Sequence, residues 1–313
     1  MVKEIRRSTP AFTTLADGTQ AVLHITDLLG EAPGPVVGIS GGIHGDENTG
    51  SQAVLELYRI LRDMPLKGTV RLLPIANPSA MVARSRFSPL DSRDLNREFP
   101  GDASGTYSQQ LAAALARDYL GTLDVHIDFH SGTDRPTVDY VYLLNDEGLS
   151  RAFGSKILYR PDESKQGTRF NGTTKDVTVA RGCRAAVIEL GGGVVDQGPY
   201  VERVVQGTLN QLRYLGVIEG VVASPPRQVV VNEIAGIRPR LGGWVEPLAP
   251  PLGEEIMGGA PLFRIVSPYT FEVLDEVTSP FPKGIMIMGH LTRNLVQAGD
   301  YGWMVGNLEG ATE

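Results

Sequence analysis

Apolar runs alternate with stretches of helical periodicity along the first two thirds of the chain. Buried strands are predicted at 35–40, 69–75, 123–129, 138–144 and 185–190, and helices at 47–64, 107–119 and 199–215. In the first helix, Ala53, Leu57 and Leu61 recur four positions apart, which places them on one face. Short apolar strands that alternate with amphipathic helices indicate an α/β sheet.

The pattern changes near residue 224, where SPPRQ forms a proline-rich break. Beyond it, short strand-like runs such as FEVLDEV and GIMIMGHL are separated by glycine and proline, with no helical periodicity. This pattern is typical of an all-β module. We therefore predict an α/β domain over 1–223 and a β-rich domain over 224–313.

Composition narrows the class of protein and the kind of site. The chain has 313 residues, a formal net charge of −7 and 42% hydrophobic residues, which is typical of a folded protein. The acidic balance argues against a nucleic-acid partner, and no run approaches the roughly 18 apolar residues of a membrane span. Because no secretory signal precedes the first strand, we expect a cytoplasmic protein. The single cysteine, Cys183, excludes intrachain disulfides and cysteine-rich zinc ribbons, so a metal site would rest on His, Asp and Glu.

The strongest chemical pattern is HGDE, from His44 to Glu47, directly after the predicted strand 35–40. Histidine and glutamate are ordinary zinc ligands, and at positions i and i+3 both reach one ion from a turn. His130 lies 83 residues after Glu47 (130 − 47), at the end of the predicted strand 123–129, and is the favoured third ligand. The three ligands then meet outside the carboxyl ends of strands, where sites form in open α/β sheets.

Neighbouring residues leave alternatives to this interpretation. His126 points to the same strand face as His130 and is an alternative ligand, whereas Asp128 on that face is suited to orient His130. The run GISGGIHG is an alternative phosphate loop, but it lacks the GxGxxG spacing and carries a carboxylate that repels phosphate. His24 and His290 have no carboxylate-rich setting and are interpreted as structural.

The polar stretch 77–105 is long for a connection in a compact domain, which is often a mark of function. It contains Arg84, Arg86, Asn96 and Arg97. The planar fork of arginine matches carboxylates and developing oxyanions, so the stretch suits an anionic substrate; the alternative is a solvated basic loop.

Glu189 ends the apolar strand AAVIEL, where a carboxylate is unusual unless it faces a site. Beside a metal it is suited to act as a general base. The alternative is an ion pair with Arg181 or Arg184.

Four segments taken together, GGIHGDE, DLNREFPG, IDFHSG and VIELGGG, resemble the succinylglutamate desuccinylase/aspartoacylase family, within the wider zinc carboxypeptidase group. The resemblance implies a mixed sheet flanked by helices that forms a zinc hydrolase domain over 1–223, with one zinc ion per chain. The module over 224–313 resembles the barrel-sandwich fold of biotinyl and lipoyl carriers. It lacks the carrier lysine, so we interpret it as a capping domain.

The resemblance also implies roles for individual residues. The matches are His44, Glu47 and His130 to the zinc ligands, Asn96 and Arg97 to the pair that holds the substrate carboxylate, Arg86 to the arginine that polarises the carbonyl, and Glu189 to the general acid/base. Arg84 stays an alternative to Arg86. Val179 occupies the position of the family's arginine that reads an acidic side chain, with Arg181 and Arg184 nearby, so aspartate specificity is in doubt.

The implied function is a zinc-dependent amidohydrolase that deacylates a small N-acyl amino acid or N-acyl diamino acid. One alternative is a metallocarboxypeptidase that acts on short peptides. Another is a non-catalytic binding protein on the same fold. The expected partner is a small molecule, with neither nucleic acid nor membrane, and the sequence leaves homo-oligomerisation open.

Overall fold

The computed structural model describes residues 2–161, 171–223 and 227–312. Residues 224–226 of the predicted proline-rich break therefore lie outside the described residues. Within the described ranges, no helix is both long and apolar enough to cross a bilayer.

The elements are given in chain order. The strands are β1 (Glu4–Ser8), β2 (Ala11–Thr14), β3 (Gln20–Val22), β4 (Ile25–Leu29), β5 (Ala32–Ser40), β6 (Lys67–Leu73), β7 (Val125–His130), β8 (Thr137–Tyr142), β9 (Ile157–Tyr159), β10 (Arg184–Gly191), β11 (Val229–Val231), β12 (Ile234–Ile237), β13 (Gly243–Pro247), β14 (Glu255–Met257), β15 (Pro261–Val266), β16 (Val273–Thr278), β17 (Lys283–Gly289), β18 (Leu295–Val296) and β19 (Trp303–Asn307). The α-helices are α1 (Thr49–Leu61), α2 (Pro78–Ala83), α3 (Tyr107–Ala114), α4 (Glu147–Ala152), α5 (Thr174–Ala180) and α6 (Gly198–Tyr214).

One large mixed sheet runs through the molecule in the order β1-β4-β6-β5-β7-β10-β8-β17-β19-β12. Its centre is parallel, because β5 pairs parallel with β6 and β7, and β7 pairs parallel with β10. Strand β8 is antiparallel to β10 and pairs antiparallel with β17. The sheet therefore passes from the α/β region directly into the C-terminal strands.

Strand β7 shows how the sequence assigns the two faces of the sheet. Its residues alternate, and Val125, Ile127 and Phe129 join the apolar cluster that contains the buried faces of α1 and α6. The alternate residues, His126, Asp128 and His130, consequently point to the opposite face. A second apolar cluster, built from α3 and the segment that follows it, covers part of that face. His126, Asp128 and His130 are thus buried on the face of the sheet that α1 and α6 do not cover.

Within the described range 227–312, all regular elements are strands, β11 to β19. A four-stranded sheet in the order β16-β15-β13-β18 packs on the large sheet through a cluster in which Phe263 stacks on Trp303, with ring centroids 3.7 Å apart. The predicted fold class is confirmed: a mixed α/β sheet flanked by helices, with a C-terminal β-rich region. The domain boundary at residue 224 stays a prediction.

Several elements differ from the sequence prediction. The predicted helix 107–119 is α-helical only to Ala114 and continues as a π-helical turn over Leu115–Tyr119. Strands β1 to β4 were not predicted. Strand β1 is largely exposed and carries charged residues instead of an apolar run. Helix α2 lies inside the long polar stretch and begins at Pro78, with the Asn77 side chain accepting from the backbone N–H of Ala80.

Candidate metal centre and active site

The carboxyl ends of three neighbouring parallel strands form the site. Strand β5 ends at Ser40 and leads into the turn that holds His44 and Glu47, β7 ends at His130, and β10 carries Glu189. Glu189 lies directly beside His130 in the parallel register of β10 and β7. The sheet thus brings together side chains that are far apart in the sequence, at the edge where open α/β sheets form sites.

The segment from His44 to Glu47 is a turn, since α1 begins at Thr49 and not at the predicted residue 47. The backbone N–H of Glu47 donates to the His44 carbonyl at 3.3 Å. Gly45 allows α2 to approach this turn closely, because a Cβ there would lie 1.9 Å from the Ala80 carbonyl oxygen. The turn is therefore fixed between the end of β5 and helix α2.

His44, Glu47 and His130 form a buried cluster of three side chains. His44 Nδ1 lies 2.8 Å from Glu47 Oε1, and His130 Nδ1 lies 2.9 Å from Glu47 Oε2. One ligand atom from each residue fits within 4.8 Å of the others. Two imidazole nitrogens and a carboxylate oxygen are the donor set of a catalytic zinc site, which keeps a further position for water or substrate. The residues present therefore fit a zinc ion.

Each histidine of the cluster also contacts an aspartate through its other ring nitrogen. His44 Nε2 lies 3.1 Å from Asp94 Oδ1, and His130 Nε2 lies 3.5 Å from Asp128 Oδ2. With Nε2–H directed to a carboxylate, Nδ1 keeps its lone pair for a metal. Burial opposes ionisation of both aspartates, but the contacts with His44 and His130 hold the pKa of each carboxyl well below its ordinary value.

The remaining histidines do not reach this cluster. His126 Nε2 lies 2.8 Å from Ser40 Oγ, and burial lowers the pKa of its ring. The structure therefore places His130, and not the alternative His126, next to His44 and Glu47. His290 stacks on Trp303, and His24 is exposed.

A cavity of about 190 Å³ opens above the cluster. Its lining comprises His44, Glu47, Arg86, Asn96, Arg97, His130, Ser131, Gly132, Thr133, Pro136, Val138, Tyr140, Tyr142, Pro161, Thr173, Thr174, Lys175, Val187, Glu189, Met288, Tyr301 and Met304. All seven residues singled out from the sequence thus lie on one cavity. Three members of its wall come from the C-terminal strands and the loop between them.

Arg86 reaches the floor of the cavity. Its Nη2 lies 3.0 Å from Asp94 Oδ2, and its Nη1 lies 3.4 Å from Glu47 Oε1. Arg84, the alternative, is exposed at the end of α2 and does not line the cavity. The guanidinium of Arg86 therefore lies beside the cluster, in the lining of the cavity.

Asn96 and Arg97 line the cavity from a short turn, Leu95–Arg97. The turn is fixed by Asp94, whose Oδ1 accepts from the Asn96 backbone N–H at 2.9 Å. The same carboxylate therefore orients His44, Arg86 and this turn. Asp94 was not assigned a role from the sequence, although it immediately precedes Leu95 in the DLNR segment.

Glu189 lies beside two tyrosines of β8. Tyr140 is its cross-strand neighbour, and the Tyr140 hydroxyl donates to the Tyr142 hydroxyl at 2.9 Å. Loss of solvent around the carboxyl raises the pKa of Glu189 to about 7, and the negative charge of Glu47 acts in the same direction. A carboxylate that titrates near neutral pH is suited to accept and return a proton.

Neither Arg181 nor Arg184 reaches the cavity. Arg181 donates to the Leu120 carbonyl at 2.9 Å, and Arg184 pairs with Asp146 at the far end of β10. Lys175 lines the cavity instead, although nothing in the sequence singled it out.

Comparison with known proteins supports one family. The family model of the succinylglutamate desuccinylase/aspartoacylase catalytic domain matches residues 33–215. The N-α-acetyl-L-2,4-diaminobutyric acid deacetylase of Halomonas elongata is 31% identical over an alignment of 218 residues, which covers 66% of this chain and 62% of that protein. The alignment thus spans less than two thirds of that relative.

Two solved structures share the whole architecture. A succinylglutamate desuccinylase/aspartoacylase from Rhodobacter sphaeroides superposes with a TM-score of 0.81 at 28% identity, over 97% of this chain and 95% of that chain. A succinylglutamate desuccinylase from Silicibacter sp. TM1040 has a TM-score of 0.83 at 24% identity, over 98% and 96% of the two chains. The second likeness is one of fold alone.

Proposed function

Because this chain belongs to the succinylglutamate desuccinylase/aspartoacylase family, as its four segments predicted, we propose that it is a zinc-dependent amidohydrolase that deacylates a small N-acyl amino acid. The observation that carries the proposal is the convergence of His44, Glu47 and His130 within 4.8 Å on a cavity that also contains Glu189. We also propose that the enzyme is cytoplasmic, because a chain with one cysteine forms no intrachain disulfide and therefore needs no oxidising compartment.

The proposed metal ligands are His44 Nδ1, Glu47 and His130 Nδ1, with one zinc ion per chain. When bound there, zinc supplies Lewis acidity that polarises a carbonyl and favours ionisation of water. Asp94 and Asp128 hold the two imidazoles in the orientation that this ion requires.

The chain's own residues then have distinct tasks. Glu189 takes a proton from the attacking water as a new C–O bond forms at the amide carbonyl. The same carboxyl returns the proton to the nitrogen as the C–N bond breaks, which releases a carboxylic acid and an amine. Arg86 stabilises the negative charge that develops on the carbonyl oxygen. Asn96 and Arg97 hold the carboxylate of the amino acid.

The size and charge of the cavity support a small anionic substrate. Its volume of about 190 Å³ suits a small ligand better than a folded or extended peptide. Among the described lining residues, Arg86, Arg97 and Lys175 are cationic. We propose N-acetyl and N-succinyl amino acids as the first substrates to test, with both acidic and diamino side chains included, since the Halomonas relative is named for an acetylated diamino acid.

The test is a panel of N-acetyl, N-succinyl and N-formyl amino acids, assayed on the purified protein with added zinc and with a chelator. We expect one acyl group to be preferred, activity to disappear with chelator and to return with zinc. Elemental analysis should give one zinc ion per chain. A zinc-loaded protein that is inert across the panel would contradict the proposal.

Glu189→Gln is the matched variant, because it keeps the shape of the side chain and removes its basicity. We expect it to retain zinc and to lose about 10²- to 10⁴-fold in kcat. Retained turnover would remove Glu189 from the mechanism. The same assays on peptides of increasing length test the carboxypeptidase alternative, which predicts activity that persists as the peptide grows.

A further inference from the structure

Thr174 connects the metal-ligand side of the cavity to its substrate side. Its hydroxyl donates to Asp128 Oδ2 at 2.6 Å, and Asp128 in turn contacts His130. Its backbone N–H donates to Asn96 Oδ1 at 3.2 Å. The residue is 3% exposed; its hydrogen bond to Asp128 is buried, and its hydrogen bond to Asn96 is partly buried. Thr174, at the start of α5, thus contacts both Asp128, which lies next to the metal ligand His130, and Asn96 on the substrate side of the cavity.

The contact with Asn96 determines which side of the amide faces the cavity. A backbone N–H can be accepted only by the amide oxygen, so Asn96 Oδ1 is turned toward Thr174. The amide Nδ2, which can only donate, is then left to the cavity that Asn96 lines. A donor in that position suits a substrate carboxylate and repels a cation.

The contact with Asp128 completes a buried carboxylate. Ser40 Oγ donates to Oδ1 at 2.8 Å, Thr174 Oγ1 donates to Oδ2, and His130 Nε2 approaches the same Oδ2. Hydroxyl donors on both oxygens fix the plane of the carboxylate and keep it ionised. The carboxylate therefore presents a fixed acceptor to the ring of His130.

Helix capping does not explain Thr174. The cap of α5 is formed by Thr173 and Asp176, which exchange side-chain and backbone hydrogen bonds. The Thr174 hydroxyl takes no part in that exchange. The hydroxyl of Thr174 instead contacts Asp128 of β7, and its backbone N–H contacts Asn96 of the Leu95–Arg97 turn.

We propose that Thr174 is a positioning residue that aligns the metal ligand His130 through Asp128 and the substrate-binding Asn96 through the backbone. The inference rests on the proposed function for the role of Asn96. Its metal half is independent of that role, because zinc affinity can be measured without a substrate. The hydroxyl and the N–H serve separate halves, so separate substitutions distinguish them.

The first pair of variants tests the hydroxyl. Thr174→Val keeps the shape and the N–H but removes the donor to Asp128, whereas Thr174→Ser keeps the donor. We expect Thr174→Val to weaken zinc binding about tenfold, at the low end of the loss usual for groups outside the ligand shell. Thr174→Ser should stay near the native affinity. Zinc affinity is measured by competition with a chromogenic chelator.

Thr174→Pro tests the backbone N–H. Residue 174 is the first of α5, where proline suits a helix, and Thr173 has φ −100° and ψ 164°, the extended conformation favoured before proline. We expect zinc affinity like that of Thr174→Val, with a KM at least threefold higher than in Thr174→Val and a similar kcat. The KM difference reports the freed amide of Asn96.

Thr178→Val is the matched control. Thr178 is a buried threonine of the same helix whose hydroxyl donates to the carbonyls of Thr174 and Lys175. The Thr178→Val variant should lower the melting temperature about as much as Thr174→Val does, and it should leave the zinc affinity unchanged.

Two results would overturn the proposal. One is native zinc affinity in Thr174→Val, and the other is an equal loss of affinity in Thr178→Val, which would make the effect one of helix stability. If the native protein hydrolyses no N-acyl amino acid, the proposed function fails, but the zinc measurements still decide the role of the Thr174 hydroxyl.

Discussion

Asp94 contacts three parts of the site with one side chain. Its Oδ1 faces His44 Nε2 and the backbone N–H of Asn96, and its Oδ2 faces Arg86. A neutral amide of the same shape could keep some of these contacts but would lose the charge that Arg86 and His44 share. The charge of Asp94 therefore couples the proposed metal ligand, the proposed carbonyl-binding arginine and the turn that carries Asn96.

For this reason we expect Asp94→Asn to weaken zinc binding about 10- to 100-fold and to lower kcat as Arg86 loses its partner. Chelator competition measures the first effect, and steady-state kinetics at saturating zinc measures the second. Asp146→Asn is the control, since Asp146 caps α4 and pairs with Arg184 away from the cavity. Native zinc affinity in Asp94→Asn would show that the contact with His44 does not orient it.

At the same scale, the pKa of Glu189 predicts the acid side of the pH profile of the reaction. Burial raises the pKa of Glu189 from 4.5 to about 7, and the positive charge of a bound zinc acts in the opposite direction. As the proposed base, Glu189 would work only when ionised, so kcat/KM should fall as the pH falls through this pKa. We expect a midpoint between 4.5 and 7 on the acid side of the profile.

The profile of kcat/KM must be recorded with zinc content measured at each pH, because acid also releases metal from histidine. A loss of rate at constant zinc content reports Glu189. A midpoint below 4.5 would contradict a raised pKa for the base in the zinc-loaded enzyme.

At the scale of elements, the turn between β5 and α1 depends on close packing against α2. A methyl group at Gly45 would meet the backbone of Ala80 and Met81, which cannot move without displacing α2 or the turn. Displacement of the turn moves His44 and Glu47 together. The glycine is therefore required by the approach of two backbones and not by its own dihedral angles.

We accordingly expect Gly45→Ala to lower zinc affinity by tenfold or more and to destabilise the fold by about 1–3 kcal/mol. Chelator competition and thermal unfolding measure the two effects. Gly236→Ala in β12 is the control, because a Cβ there meets nothing within 4 Å. Unchanged zinc affinity in Gly45→Ala would mean that the turn tolerates the displacement.

The sequence predicted the three strands that carry the site, and with them most of the site residues. Strands β5 and β10 contain apolar runs that lead to polar site residues, and β7 alternates apolar and polar residues up to His130. Their type and their functional ends can therefore be read from the pattern. Thr174 and Lys175 could not be predicted, because α5 is short and its position against β10 depends on tertiary packing. The exposed strand β1 gave no apolar pattern at all.

At the scale of the whole molecule, the C-terminal region contributes part of the cavity wall. Met288 of β17, Met304 of β19 and Tyr301 between them line the cavity together with Asn96 and Arg97. The loop that carries Tyr301 is held by Asp300, which accepts from the Gln297 backbone N–H at 2.8 Å and pairs with Arg135. Arg135 follows β7, so the ion pair joins the loop to the strand of His130. No local sequence pattern indicates such a contact over 165 positions (300 − 135).

Because this ion pair is partly exposed, we expect Arg135→Met to cost up to about 1 kcal/mol, seen as a KM raised about two- to fivefold. The effect should shrink as salt is added, because salt screens a partly exposed ion pair. Arg264→Met is the control, since Arg264 pairs with Glu276 on the outer sheet. A salt-independent change in kcat alone would contradict a role in holding this part of the cavity wall.

The division of the cavity between two parts of the chain has an evolutionary consequence. The residues proposed for metal binding and chemistry, from His44 to Glu189, all lie inside the range 33–215 that the family model matches, whereas Met288, Tyr301 and Met304 lie outside it. The family model therefore covers the residues proposed for the reaction and stops before the outer wall, which only the comparison of whole structures includes. Descendants of one ancestor can diverge in the compound they accept by drift in that wall, with the inherited catalytic machinery left intact.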